Sequence, residues 1–312
     1  MASSAGEWPH QPVLLQQVLE GLDLREGMVV IDATVGAGGH SEGIASRLGE
    51  EGVLIGLDVD TQILAHARRR LKDLPPRIEL FESSYRHLDS VLHGLGFERC
   101  DRVLMDLGVS SLQLDRAERG LSFRLDGPLD MRMDPKSETT AYDLLSRSSE
   151  EELVRIFRDY GEERYARRIA GEVVRARRQG GLPRTTTAFA DFVARIVPGG
   201  GGRRRIHPAT RVFQALRIAV NRELEALREG LEKAVQVLRP GGRLAVISFH
   251  SLEDRIVKNF IRDRMTRLHR KPLTADEAEK SANPRSRSAK LRVAVQEGMA
   301  SDPGMAAQED IQ

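Results

Sequence analysis

Short apolar runs along the first third of the chain end on acids. Met28-Val-Val-Ile31 runs into Asp32, Val53-Leu-Ile-Gly-Leu57 into Asp58, and Arg102-Val-Leu-Met105 into Asp106. Arg77-Ile-Glu-Leu-Phe81 is a further run of this kind. Such runs, bounded by glycine and polar residues, predict strands. Between them the pattern predicts helices over Ser41–Leu48 and Asp60–Leu71, with Asp60 as N-cap, and one reaching about Leu95. A short amphipathic helix after His10-Gln-Pro-Val-Leu-Leu15, ending near Gly21, covers the sheet edge or the ligand. Strands alternating with helices imply a parallel, doubly wound sheet, whose ligands bind beyond the carboxyl ends of the strands. Asp32, Asp58 and Asp106 all stand at that end.

The rhythm breaks at Gly108 and resumes at Val212. Between them the pattern is helical, near Ala141–Leu145, Glu150–Tyr160, Arg164–Arg178 and Thr187–Ile196. From Phe213 to Leu238 apolar residues recur three or four apart, which predicts one long amphipathic helix closed by Arg239-Pro-Gly-Gly242. Arg243 to Phe249 is a fifth strand, and Lys290 to Val295 a last one. Ser251 and Asp254 form a variant capping box. The expected division is a discontinuous domain over 1–108 and 212–297, a helical insert over 109–211 for substrate recognition, and a disordered tail over 298–312.

The stretch Asp32-Ala-Thr-Val-Gly-Ala-Gly-Gly-His40 turns through glycines between a strand and a helix, the form of a cofactor cradle. Asp58, about 20 residues on, is placed to accept from ribose hydroxyls. Ser41 stands where the dinucleotide fingerprint has its third glycine, which argues against NAD and leaves a smaller adenosyl ligand; S-adenosylmethionine fits. The other reading is a tight turn, with the strand-end acids capping helices. Tyr85 faces the same cleft or packs at its rim.

Composition changes this picture little. The chain has 312 residues, 40% hydrophobic, enough for a core. Its one cysteine, Cys100, excludes an internal disulfide framework. No window is long and apolar enough to span a bilayer, so a cytoplasmic protein without a membrane partner is expected. Net charge is only +2, but arginine clusters at 167–178, at Arg203-Arg-Arg205 and through Arg285, Arg287 and Arg292. Such clusters suit phosphate contact, or are solvated faces. No Gly-x-Ser-x-Gly elbow supports hydrolase chemistry.

Several long motifs carry a more specific signal. Asp32-Ala-Thr-Val-Gly-Ala-Gly-Gly-His-Ser41, Asp106-Leu-Gly-Val-Ser-Ser111, Asp126-Gly-Pro-Leu-Asp-Met-Arg-Met-Asp134, His207-Pro-Ala-Thr-Arg211, Val246-Ile-Ser-Phe-His-Ser-Leu-Glu-Asp-Arg255 and Asn283-Pro-Arg-Ser-Arg-Ser288 resemble those of the RsmH (MraW) family, from His10 to about Arg292. The resemblance implies a class I S-adenosylmethionine-dependent methyltransferase, a Rossmann-like α/β fold with a helical insert. It implies N4 of a cytidine in the P-site region of 16S ribosomal RNA, in the bacterial small ribosomal subunit, as acceptor. It places cofactor contacts on Gly38, Gly39, His40, Asp58, Asp106 and Gln113, and on Tyr85, where relatives can carry phenylalanine.

A sulfonium donor needs no metal, so positioning is the main catalytic device. The catalytic candidates are Asp106, with Ser110 and Ser111 just beyond. Asp-Leu-Gly-Val-Ser-Ser replaces the Asp/Asn-Pro-Pro-Tyr loop of many amino-methyltransferases, so the base is gripped differently. Tyr142 or Phe249 stacks on the extruded base, or both are core residues. The RNA candidates are Tyr142, Arg203, Arg204, Arg205, His250, Arg285 and Arg287. The rivals are a non-catalytic RNA-binding or assembly factor that keeps only the fold, and a nicotinamide-dependent dehydrogenase.

Overall fold

A computed structural model describes residues 12–197 and 207–297. The run preceding Asp32 is strand β1 (Val29–Asp32), buried at every position. Strands β2 (Val53–Asp58), β3 (Arg77–Glu82), β4 (Cys100–Asp106) and β5 (Leu238–Ser248) follow. These five are parallel, in the order β3-β2-β1-β4-β5. The doubly wound architecture expected from the sequence is therefore present.

Its core divides by the strand period, because successive side chains point to opposite faces. Val29 and Ile31 join one apolar cluster and Val30 the other. The second cluster is completed by helices α1 (Leu15–Leu22) and α2 (Gly39–Ala45) through Val18, Leu19 and Ile44. Helix α3 (Thr61–Leu71) packs on the β3 side, and Asp60 caps it by accepting from the Gln62 and Ile63 N–H groups. Helix α4 (Leu88–Gly94) contributes Leu88 and Leu92 to the first cluster.

Between β4 and β5 lie α5 (Ser111–Leu114), α6 (Ala141–Arg147), α7 (Glu150–Arg155), α8 (Ala166–Arg178) and α9 (Thr186–Ile196). They share a separate apolar cluster around Leu145, Phe157, Ile169 and Phe189. That cluster continues into α10 (Thr210–Asn221) through Val212, Phe213 and Leu216. The predicted helix Glu150–Tyr160 is α-helical only to Arg155 and finishes as a π turn over Ile156–Tyr160.

The single long helix expected from Phe213 to Leu238 is two. Helix α10 stops at Asn221, Arg222 adopts φ 50, and α11 (Glu223–Val237) starts at the next residue. The apolar spacing runs through the break because each half faces its own core, so periodicity could not reveal it.

The sheet is also mixed rather than purely parallel. After β5 come α12 (Ser251–Arg264), the short edge strand β6 (Thr266–Arg267) and α13 (Glu277–Ala282). Strand β7 (Lys290–Val295) then inserts antiparallel between β5 and β6, with Lys290 opposite Ser248. Its entry loop therefore lies at the ligand end of the sheet. The cap of α12 differs too. His250, not Ser251, is the N-cap, exchanging hydrogen bonds with Glu253, while the Ser251 hydroxyl donates to Glu162 at 2.7 Å. Cys100 begins β4 and is buried. Among the described residues no helix is long and apolar enough to cross a membrane. Arg203, Arg204, Arg205 and the tail 298–312 lie outside the described residues.

Candidate active site

Strand order reverses between β1 and β4, one leading outward to β2 and the other to β5. A cavity of about 350 Å³ opens there, beyond the carboxyl ends of the strands. Its wall brings together Gly39, His40, Asp58, Tyr85, Asp106, Ser110, Gln113 and Arg285, all expected from the sequence.

The β1–α2 loop is built around Asp32. Its carboxylate accepts from the Thr34 N–H at 3.2 Å and from the Ser41 hydroxyl at 2.6 Å. The residue that breaks the dinucleotide fingerprint thus ties the loop to its own strand. Gly38 is the N-cap of α2 with φ 85, and a Cβ there would meet the Ala67 Cα at 3.4 Å. It is a glycine for backbone conformation and packing against α3, and it sits behind the cavity wall. The Gly36 N–H donates to Asp58 Oδ2 at 2.9 Å, and the Asp60 N–H to Asp58 Oδ1 at 2.9 Å. Asp58 is thereby held at the rim, each oxygen keeping a lone pair for a ligand.

Asp106 ends β4 beside this loop, its N–H donating to Thr34 Oγ1 at 2.6 Å. Its Oδ1 is buried and has no hydrogen-bond partner in the protein. Its Oδ2 faces His40 Nδ1 at 3.5 Å. His40 Nε2 lies 2.9 Å from the Val13 carbonyl, which only accepts, so Nε2 carries the proton and Nδ1 a lone pair. Burial pushes the imidazole down to about 4, and it is neutral at pH 7. Asp106 therefore meets a lone pair, not a cation. Burial raises its carboxyl well above the usual range, aided by the charges of Asp32 and Glu253.

Asp32 and Asp58 are each pushed up to about 6, chiefly by burial. A carboxyl raised in the folded state favours folding below its unfolded value, and that contribution is lost as pH rises through the folded value. The unliganded protein should lose thermal stability as pH rises from about 4 to about 6, where the unfolded carboxyls are ionised and the folded ones still hold their protons, and these two groups should change it little above that. A ligand bringing positive charge to Asp106 should reduce the loss. Calorimetric melts across that range check both, and a flat profile would refute the assignment of buried, proton-holding carboxyls.

Ser110 is a cap. Its hydroxyl accepts from the Gln113 N–H at 3.2 Å, and Gln113 Oε1 accepts from the Ser110 N–H at 3.0 Å. This Ser-x-x-Gln capping box opening α5 is visible in the sequence. Gln113 also donates to Asp60 at 3.1 Å. Nothing is described of the Ser111 side chain.

Tyr85 reaches the wall because Gly230 of α11 makes room; a Cβ there would lie 2.5 Å from the ring. Phe249 also lines the cavity. Tyr142 does not: its ring packs on the insert cluster under Arg184, 5.1 Å from the guanidinium carbon. His250 is spent on the α12 cap, and Arg287 is exposed, its Nε donating to the Lys280 carbonyl at 3.3 Å.

Sequence reasoning missed Arg217, Met133, Asn283 and Ser288, which also line the cavity. Arg217 left a signal: it stands four residues after Phe213 and three before Val220, on the apolar stripe of its helix. Met133 comes from a loop, and Asn283 and Ser288 cap and end a short 3-10 turn, whose positions no periodicity gives.

Comparison with known proteins adds the following. The family model described as the MraW methylase family matches residues 7–297. The chain is 48% identical over 306 residues to the ribosomal RNA small subunit methyltransferase H of Heliobacterium modesticaldum, covering 91% of this chain and 97% of that one. The protein of the same name from Syntrophotalea carbinolica is 48% identical, over 91% of this chain and 96% of that one. The one from Carboxydothermus hydrogenoformans is 47% identical, over 92% and 98%.

Proposed function

The chain belongs to the MraW methylase family, and from that premise we propose that it methylates N4 of a cytidine in the P-site region of 16S ribosomal RNA. The donor is S-adenosylmethionine, and the reaction takes place in the cytoplasm on the small ribosomal subunit. The observation that carries the reading is Asp106: a carboxyl at the switch point of a class I methyltransferase sheet, lining the cavity that Asp58 rims, with no cation paired to it among the described residues.

The residues present fit the donor. The loop that lines the cavity at Gly36, Gly39 and His40 would hold it, with Asp58 accepting from ribose hydroxyls and Tyr85 and Gln113 closing the cavity. When bound, S-adenosylmethionine supplies a methyl group on a sulfonium, which requires no metal. The chain's own task is to present the acceptor. The exocyclic amine of cytosine is a weak nucleophile because its lone pair feeds the ring. The Asp106 carboxylate, accepting from that N–H, localises the pair and takes up the proton when the new bond forms. Ser110 acts through the loop, shaping the α5 end of the site rather than touching the base.

We assign substrate recognition to the insert, 109–211, together with α10, which shares its apolar cluster. Arg285, at the cavity, and Arg287, exposed beside it, are placed on the RNA backbone. Phe249 is the stacking aromatic in place of Tyr142, because it alone of the two lines the cavity.

The test is methyl transfer from labelled S-adenosylmethionine to bacterial small subunits lacking the modification, with digestion to nucleosides. N4-methylcytidine at one site is the expected product. Donor binding with no label on the subunit would favour an assembly factor instead.

A further inference from the structure

Arg217 lines the cavity, and the donor site described above does not use its charge. It lies in the last turns of α10, just before the left-handed Arg222. Its Nε donates to Glu223 Oε1 at 2.8 Å and its Nη2 to Glu223 Oε2 at 2.8 Å. Glu223 opens α11, so the two-pronged contact spans the break between the helices. The Glu223 and Glu253 side chains are only 9% and 3% exposed. Both carboxylates favour the guanidinium's charge, which is raised in spite of its burial. The side chain is thus fixed from behind by two parallel hydrogen bonds.

A guanidinium is planar and carries five N–H donors. With the Nε–Nη2 edge on Glu223, its terminal edge still offers two parallel N–H groups. Cytosine has acceptors at N3 and O2, side by side on its pairing edge, and its amine next to N3. Uracil has a donor at N3, which would meet an Arg N–H head-on. A fixed pair of donors in this cavity therefore distinguishes the two pyrimidines, as paired Arg donors do on other base edges.

We propose that Arg217, clamped by Glu223, reads N3 and O2 of the target cytosine and so holds its exocyclic amine toward Asp106. This rests on the cytidine reading above. Arg217 is then a specificity residue that touches substrate, and Glu223 is a positioning residue that acts through it.

The test uses the full chain with unmodified small subunits, comparing Arg217→Gln, Arg217→Lys and Glu223→Gln. Loss of a two-donor base contact should lower kcat/KM for subunits about 10- to 100-fold in both Arg217 variants. Glu223→Gln, which loosens the clamp but keeps the donors, should fall less. Donor affinity by titration calorimetry should stay within about two-fold in all three, which a purely structural role would not allow. Lysine keeps the charge but lacks the paired edge, so lysine restoring normal kinetics would overturn the proposal.

Inhibition by free nucleotides gives an independent readout. Cytidine monophosphate should compete better than uridine monophosphate with the unaltered chain, and Arg217→Gln should erase that preference. A preference that survives in Arg217→Gln would overturn the proposal. If the unaltered chain makes no N4-methylcytidine, the cytidine reading itself has failed; if it does and the variants match it, only the role of Arg217 has.

Discussion

Asp106→Asn should lower methyl transfer by about 10² to 10⁴-fold, the range for loss of a positioned proton acceptor. Asparagine keeps the shape of the side chain but replaces one acceptor oxygen with a donor, which meets the amine with the wrong polarity. Donor affinity should fall far less, because the glycine loop, Asp58 and Gln113 remain in place. Burial and the nearby acids hold the Asp106 carboxyl above its usual range, and only its ionised form can take up the proton. The rate should therefore rise with pH on an acidic limb that the asparagine variant lacks. Single-turnover rates across pH check both. Near-normal turnover by Asp106→Asn would remove the carboxyl from the reaction.

Phe157→Ala should be the most damaging single change for stability. Phe157 is fully buried in the insert cluster, in the π turn that packs against α10. Truncating a buried phenylalanine costs about 3–5 kcal/mol, which corresponds to a fall in Tm on the order of 10 °C. The cluster is separate from the two that sandwich the sheet. The loss should therefore fall on the insert, splitting the calorimetric transition while donor binding changes less than about ten-fold. RNA methylation should fall much further, because the cavity wall at Arg217 depends on α10. A single transition, with donor affinity lost in parallel, would show that the insert is no separate unit.

How far the sequence reached can be judged residue by residue. The strand-end acids and the glycine turn were readable because both obey local rules: a buried strand is an apolar run, and a turn at φ 85 calls for glycine. Asp60 and the Ser110–Gln113 box follow capping rules of the same local kind. The break at Arg222 was hidden because an apolar stripe continues smoothly from one core to another. Tyr142 and Phe249 were equivalent aromatics until the fold put Phe249 in the cavity wall and Tyr142 on the insert cluster.

The sequence by itself determined the alternation of strands and helices, the end of the sheet where chemistry gathers, and, through its motifs, the family. Those properties are set by neighbours along the chain, whose spacing the backbone period converts directly into direction. Only the tertiary structure decided that Asp106 faces a neutral His40, that β7 runs antiparallel and delivers Arg285 to the cavity, and that Arg217 is pinned by Glu223. Protonation depends on burial and on charges brought in from distant elements, and a side chain's partner depends on which helix packs across from it; neither is encoded in local spacing.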